Sequence, residues 1–110
     1  MGKVFLIQSE GLGRREEQLG IMLMANFLRL LGESQEKPES IIFLNTGVRL
    51  VCQGSHVLEH AKRLEQQGVQ LLACTTCLEY FELKDKLAVG QATTMAKTIQ
   101  SLLSRDAVCL

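Results

Sequence analysis

Two cysteines two residues apart, Cys74-Thr75-Thr76-Cys77, are the part of this 110-residue sequence best suited to chemistry. A thiolate is both a nucleophile and a metal ligand, so such a pair serves sulfur or disulfide exchange, zinc binding, or plain packing. The pair directly follows the apolar run Val69-Gln70-Leu71-Leu72-Ala73 and precedes a helix-forming stretch. Thr76-Cys77-Leu78-Glu79 matches a capping box, which predicts Thr76 as the cap and Cys77 as the first helical residue. Unpaired N–H groups and the positive end of a helix favour thiolate over thiol at such a place. Cys74 is then expected just ahead of the helix, and the placement of the pair suits sulfur chemistry better than packing.

A zinc site would need two further ligands, and the sequence has no second Cys-x-x-Cys. His56 and His60 stand four apart, a spacing that can bind metal, but Lys62 and Arg63 beside them mark an ordinary solvated helix surface. No metal and no cofactor is therefore assigned. Cys52 follows Leu50-Val51, and Cys109 lies in the strand-like Ala107-Val108-Cys109-Leu110, so both are expected to be packed. The turn Ser9-Glu10-Gly11-Leu12-Gly13 lacks the third glycine and the lysine of nucleotide loops. Its glycines are expected to let another group approach Cys74.

Positioning these residues falls to an alternation of strands and helices. Val4–Ile7 is a continuous apolar run, as a strand covered on both faces must be, and Ile41–Leu44 and Val69–Ala73 are expected as the second and third strands. Between them, Glu16–Leu31 is helix-forming with Gly32 placed to end it, and Ser55 can cap a helix over His56–Gln67 that stops at Gly68. Leu87-Ala88-Val89 is expected as a brief fourth strand, Thr94–Ser104 as the last helix, and Ala107–Leu110 as the fifth strand. This order predicts an α/β fold, a three-layer sandwich with a flavodoxin-like, mostly parallel sheet of about five strands and helices on both faces. Right-handed crossovers gather the strand-to-helix loops at the carboxyl edge of the sheet, where ligands bind. Ser9, Gly11, Gly13, Asn45, Thr75 and Thr76 lie in those loops and are the candidate binding residues. A flavodoxin-like strand order would make strands one and three neighbours and set the Gly11–Gly13 turn beside Cys74.

Composition narrows the function classes. An apolar content of 46% indicates a globular domain, and residues 1–110 read as a single one without repeats. Twelve basic residues balance twelve acidic ones, and the doublet Arg14-Arg15 is neutralised by Glu16-Glu17, which argues against nucleic acid and anionic membranes. The longest apolar stretch, Leu19–Leu31, carries Asn26 and Arg29 and is too short to span a bilayer. Its residues Met22, Leu23, Met24, Phe27 and Leu28 form a broad apolar face that suits a core and also a subunit interface. No signal peptide is recognisable at the start. The expectation is a cytoplasmic protein whose cysteines are thiols.

On these residues the sequence resembles the DsrE/DsrF-like sulfurtransferase superfamily, nearest to the DsrE-like domain of YedF-type proteins of sulfur and selenium metabolism. The matching stretches are Leu19-Gly20, Phe43-Leu44-Asn45-Thr46-Gly47-Val48-Arg49-Leu50, Gly54-Ser55, Gly68-Val69, Cys74-Thr75-Thr76-Cys77-Leu78, Leu87-Ala88-Val89-Gly90 and Thr94-Met95, in order over almost the whole chain. The resemblance implies a sulfur-relay or sulfurtransferase role, in which a cysteine after the third strand, here Cys74, carries sulfur as a persulfide to a partner protein. It implies a homo-oligomer. Cys77 belongs to the YedF-type pattern rather than to the superfamily. Thr75 stands where that subgroup commonly has glycine, and a single domain over residues 1–110, without the TusA-like domain that usually precedes it, is the expectation. A relay would then use a separate donor or acceptor, such as a TusA-like carrier. Two other readings remain: a thioredoxin-like dithiol redox module, and a non-enzymatic binding subunit with structural cysteines.

Overall fold

The structure, a computed structural model, describes residues 2–110. Five short strands form one all-parallel sheet: β1 (Lys3–Ile7), β2 (Ser40–Phe43), β3 (Gln70–Cys74), β4 (Gln91–Thr93) and β5 (Asp106–Cys109), in the order β4-β3-β2-β1-β5. Four α-helices connect them: α1 (Glu17–Glu33), α2 (Leu58–Gln66), α3 (Thr75–Tyr80) and α4 (Met95–Ser104). The first three crossovers step the same way across the sheet, and the last returns from β4 to the opposite edge. Right-handed connections therefore put α4 alone on one face and the other helices on the other. The expected α/β sandwich with a parallel sheet of five strands is what the chain builds.

The main core lies under α1, α2 and α3. Alternating residues of the central strands, Ile41, Phe43, Leu71 and Ala73, meet Met24 and Leu28 of α1, Ala61 and Leu64 of α2, and Leu78 of α3. The opposite face holds a smaller cluster of Val4, Leu6 and Ile42, flanked by Leu44 and Leu72. The period of two along each strand thus divides the apolar residues between two layers.

Several boundaries differ from the expected ones. Helix α1 runs through Gly32 to Glu33, because Gly32 is buried where α1 crosses α2, its would-be Cβ 3.4 Å from Arg63 Cδ. Helix α2 begins at Leu58; the Ser55 hydroxyl accepts from the Val57 N–H (3.2 Å) in a turn ahead of the helix rather than capping it. Leu87–Val89 is not β4. The N–H groups of Ala88 and Val89 both donate to the Val51 carbonyl, which ties that segment to the loop after β2. Gly90, at φ +81°, then turns the chain into Gln91–Thr93 beside β3. Helix α4 starts as expected, its cap Thr94 accepting from the Lys97 N–H at 3.2 Å. Strand β5 sits at the edge beside β1 alone.

Candidate functional site

The carboxyl edge of β2 and β3 is built from two unequal pieces. After β2 the chain forms a 3₁₀ helix, Asn45–Val51, where the sequence suggests only a turn. Its apolar residues Val48, Leu50 and Val51 are buried and anchor it to the main core. After β3 the chain enters α3 without a loop. Cys74 is both the last strand residue and the helix cap, so Thr75 is the first helical residue and Cys77 the third. The predicted capping box is absent: Thr76 is not the cap, and no side chain caps this helix. The reason is that β3 extends one residue past Ala73 to pair Cys74 with Thr93, and the helix starts directly from that pairing.

The 3₁₀ helix and α3 meet at the cysteines. The Asn45 backbone N–H donates to Cys77 Sγ at 3.1 Å. Asn45 holds that direction in the left-handed region, φ +53°, a conformation asparagine tolerates better than most residues. Its Oδ1 accepts from the Thr46 N–H at 2.8 Å, and the Gly47 N–H closes back on Leu44 O at 2.9 Å. Cys74 and Cys77 are both free thiols, three positions apart where β3 passes into α3. Burial pushes the Cys77 thiol above its ordinary pKa; the Asn45 N–H acts in the opposite sense, and Cys74 adds to the rise. The two cysteines are not equally accessible. Cys74 is 1% exposed, whereas Cys77 is partly open at the surface.

The other candidates fall into separate places. Ser9, Gly11 and Gly13 line a cavity of about 160 Å³ with Glu16, Gly20 and Thr46, and only Thr46 links it to the cysteine edge. The Gly11–Gly13 turn is not beside Cys74, because β2 lies between β1 and β3. Its first glycine serves close packing instead. A Cβ on Gly11 would fall 2.8 Å from the Gly20 carbonyl carbon, and one on Gly20 would fall 2.8 Å from Leu12 O. Ser9 Oγ donates to Gly11 O at 2.6 Å within the same turn. Thr75 is partly covered and Thr76 exposed, both on the first turn of α3. Cys52 is buried as expected, donating to Val48 O at 3.2 Å, and burial pushes its thiol pKa up. Cys109 is exposed, contrary to expectation, because β5 is an edge strand on which only Val108 is partly covered.

Two residues that sequence reasoning gave no role adjoin the site. Phe81 follows Cys77 by four positions, one helical turn on, and the Arg49 guanidinium lies 4.5 Å above its ring. Arg49 also pairs with Glu10 at 3.6 Å. The i to i+4 spacing of Cys77 and Phe81 was the available signal; Arg49 required the tertiary structure. Among the described residues no cluster of three or more His, Cys, Asp or Glu side chains is arranged to hold a metal ion. Nor is any helix among them long and apolar enough to cross a membrane.

Comparison with known proteins gives the fold and no more. No family model matches the sequence, and no curated protein matches it significantly. Solved structures do match. The ychN protein from E. coli is 16% identical, covers the whole of both chains and superposes with a TM-score of 0.75. MTH1491 from Methanobacterium thermoautotrophicum, a protein of unknown function, is 17% identical over 98% of this chain and 97% of that one, with a TM-score of 0.71. BT1422 from Bacteroides thetaiotaomicron, a conserved protein of unknown function, is 17% identical over 99% and 95%, with a TM-score of 0.69. At these identities the likeness is one of architecture, and the chain shares the fold of these three proteins over its full described length.

Proposed function

We propose that this chain is a DsrE-like sulfur carrier that passes persulfide sulfur, or selenium in its place, through the Cys74–Cys77 pair. The observation that carries the reading is the placement of two free thiols where β3 passes into α3 at the carboxyl edge of a parallel sheet, one of them held by a backbone N–H. A sulfur carrier needs a thiol reachable by another protein's thiol and a fixed surface around it. The edge formed by the 3₁₀ helix and α3 supplies both. A TusA-like carrier is the kind of donor or acceptor this chemistry calls for.

Incubating the reduced protein with inorganic polysulfide and measuring its intact mass tests this. In a Cys109→Ser background, which removes the exposed thiol of β5, the protein is expected to gain one sulfur atom that dithiothreitol removes, and the added Cys74→Ser/Cys77→Ser double variant is expected to gain none. Equal gain by the double variant would place the sulfur elsewhere and end this reading. The same pair of free thiols also suits a dithiol redox module. Turnover in a disulfide-reduction assay without sulfur uptake would favour that one.

The assembly proposed with this function is a homo-oligomer built on the outer face of α1. Leu19, Met22, Leu23 and Leu30 share that face by helical spacing and are 43–63% exposed, while Gly20, Met24 and Leu28 face the core. Such a row of uncovered large apolar side chains is unusual for a monomer. Sedimentation at micromolar concentration is expected to show an oligomer that Met22→Glu with Leu23→Glu reduces to monomer. A monomeric wild type at all concentrations would refute it.

A further inference from the structure

We propose that Cys77, rather than Cys74, is the thiol that takes up the sulfur, with the Asn45 backbone N–H as its positioning donor and Cys74 as the resolving thiol behind it. This inference rests on the reading that the pair handles persulfide sulfur, and it reverses the order that the resemblance implies. The decisive contrast is access. A thiolate must approach the outer sulfur of a donor persulfide along the S–S axis, and a side chain 1% exposed offers no such line. Cys77 is partly open at the surface and packs on its other side against the main core, on the first turn of α3 and facing the 3₁₀ helix.

Asn45 makes the second contribution. Its N–H points at Cys77 Sγ from 3.1 Å, and a hydrogen bond to an acceptor strengthens as the acceptor gains negative charge. The donor therefore favours the thiolate over the thiol and offsets part of the burial that pushes the Cys77 pKa up. The direction depends on the left-handed backbone at Asn45, which a β-branched residue resists and glycine accepts.

The chemistry balances without an added oxidant. The Cys77 thiolate attacks the outer sulfur of a donor R–S–SH. The new Cys77 S–S bond forms, the donor S–S bond breaks, and R–S⁻ leaves. The resulting Cys77–S–SH passes its outer sulfur to an acceptor thiolate, regenerating the Cys77 thiolate. Where no acceptor is present, Cys74, deprotonated, attacks Cys77 Sγ. A Cys74–Cys77 disulfide forms and HS⁻ leaves, the sulfane sulfur taking up the two electrons that the thiols lose. An external dithiol then restores both thiols.

Three measurements on the full chain test the assignment. With inorganic polysulfide, Cys74→Ser is expected to load one sulfur on Cys77, located by peptide mapping, and to retain it longer than wild type. In a Cys109→Ser background, Cys77→Ser is expected to load less than about a tenth as much as Cys74→Ser. Wild-type loading of Cys77→Ser, with the sulfur on Cys74, would overturn the proposal. Native iodoacetamide labelling gives a readout that needs no sulfur: Cys77 is expected to react at least about tenfold faster than Cys74. Equal or reversed rates would overturn it. If labelling follows this order while neither wild type nor Cys74→Ser loads sulfur on the pair and wild type forms no Cys74–Cys77 disulfide, the sulfur-carrier reading fails, and with it the assigned uptake, leaving only the accessibility result. Finally, Asn45→Gly is expected to keep the pH profile of Cys77 alkylation, and Asn45→Val to move it to higher pH. An unmoved profile in a folded Asn45→Val protein would remove Asn45 from the assignment.

Discussion

Phe43→Ala is expected to lower the free energy of unfolding by about 3–5 kcal/mol, the usual cost of truncating a fully buried phenylalanine. Phe43 is 1% exposed and ends β2, the middle strand of the sheet, with β1 on one side and β3 on the other. It belongs to the cluster in which α1, α2 and α3 close over the sheet, so the space it vacates is enclosed on all sides. A domain of this size carries roughly 5–15 kcal/mol of net stability, so this single change consumes a large part of it. Urea unfolding monitored by far-ultraviolet circular dichroism measures the loss. A change below about 1 kcal/mol would mean that the packing described for this face is wrong. The effect also reaches the site. Phe43 lies two residues before Asn45, and loosening the end of β2 is expected to slow Cys77 alkylation in the molecules that remain folded.

Gly47→Ala is expected to destabilise by about 1–3 kcal/mol, as overpacking does, and to disturb the thiol site more than its cost in stability suggests. A Cβ at Gly47 would lie 2.6 Å from Ile7 O, 3.2 Å from Ile7 C and 3.3 Å from Ser9 N. All three are backbone atoms at the end of β1, and none can swing aside as a flexible side chain would. The Ile7 carbonyl is also engaged by the Leu44 N–H at 2.9 Å, which fixes it further. The 3₁₀ helix must therefore lift away from β1, carrying the Asn45 N–H off Cys77 Sγ. The expected readout is a melting temperature several degrees lower and a Cys77 alkylation profile moved to higher pH. A variant as stable as wild type with the same profile would show that the 3₁₀ helix does not rest on β1 as described.

Much of the scaffold was legible in the sequence because its signals are local. The apolar runs Val4–Ile7 and Ile41–Leu44, and Val69–Ala73 broken only by Gln70, read as strands, and all three are central strands of the sheet. Gly68 and Thr94 mark helix ends by conformational and hydrogen-bonding needs that involve no distant residue. Where a distant partner decided, local reading failed. Leu87–Val89 has strand composition, yet Val51 O takes its N–H groups and leaves β4 to Gln91–Thr93. Gly11 reads as making room for a group approaching Cys74, yet it answers to Gly20 nine residues later. Cys109 has the neighbours of a core residue, and its place on an edge strand exposes it.

The pair at residues 74 and 77 shows the same division. That two thiols stand where a strand passes into a helix follows from the order of residues alone, since apolar run, cysteine and helix former are contiguous. Which thiol faces outward does not follow from it. That depends on β3 pairing through Cys74 to Thr93, on α3 starting one residue later, and on a 3₁₀ helix after β2 bringing the Asn45 N–H to Cys77. Each of these is a contact between segments far apart in the chain, and such contacts exist only once the core has closed. The sequence therefore carried the chemistry of the edge, and the packing of β2, β3 and β4 assigned the two cysteines their different exposures.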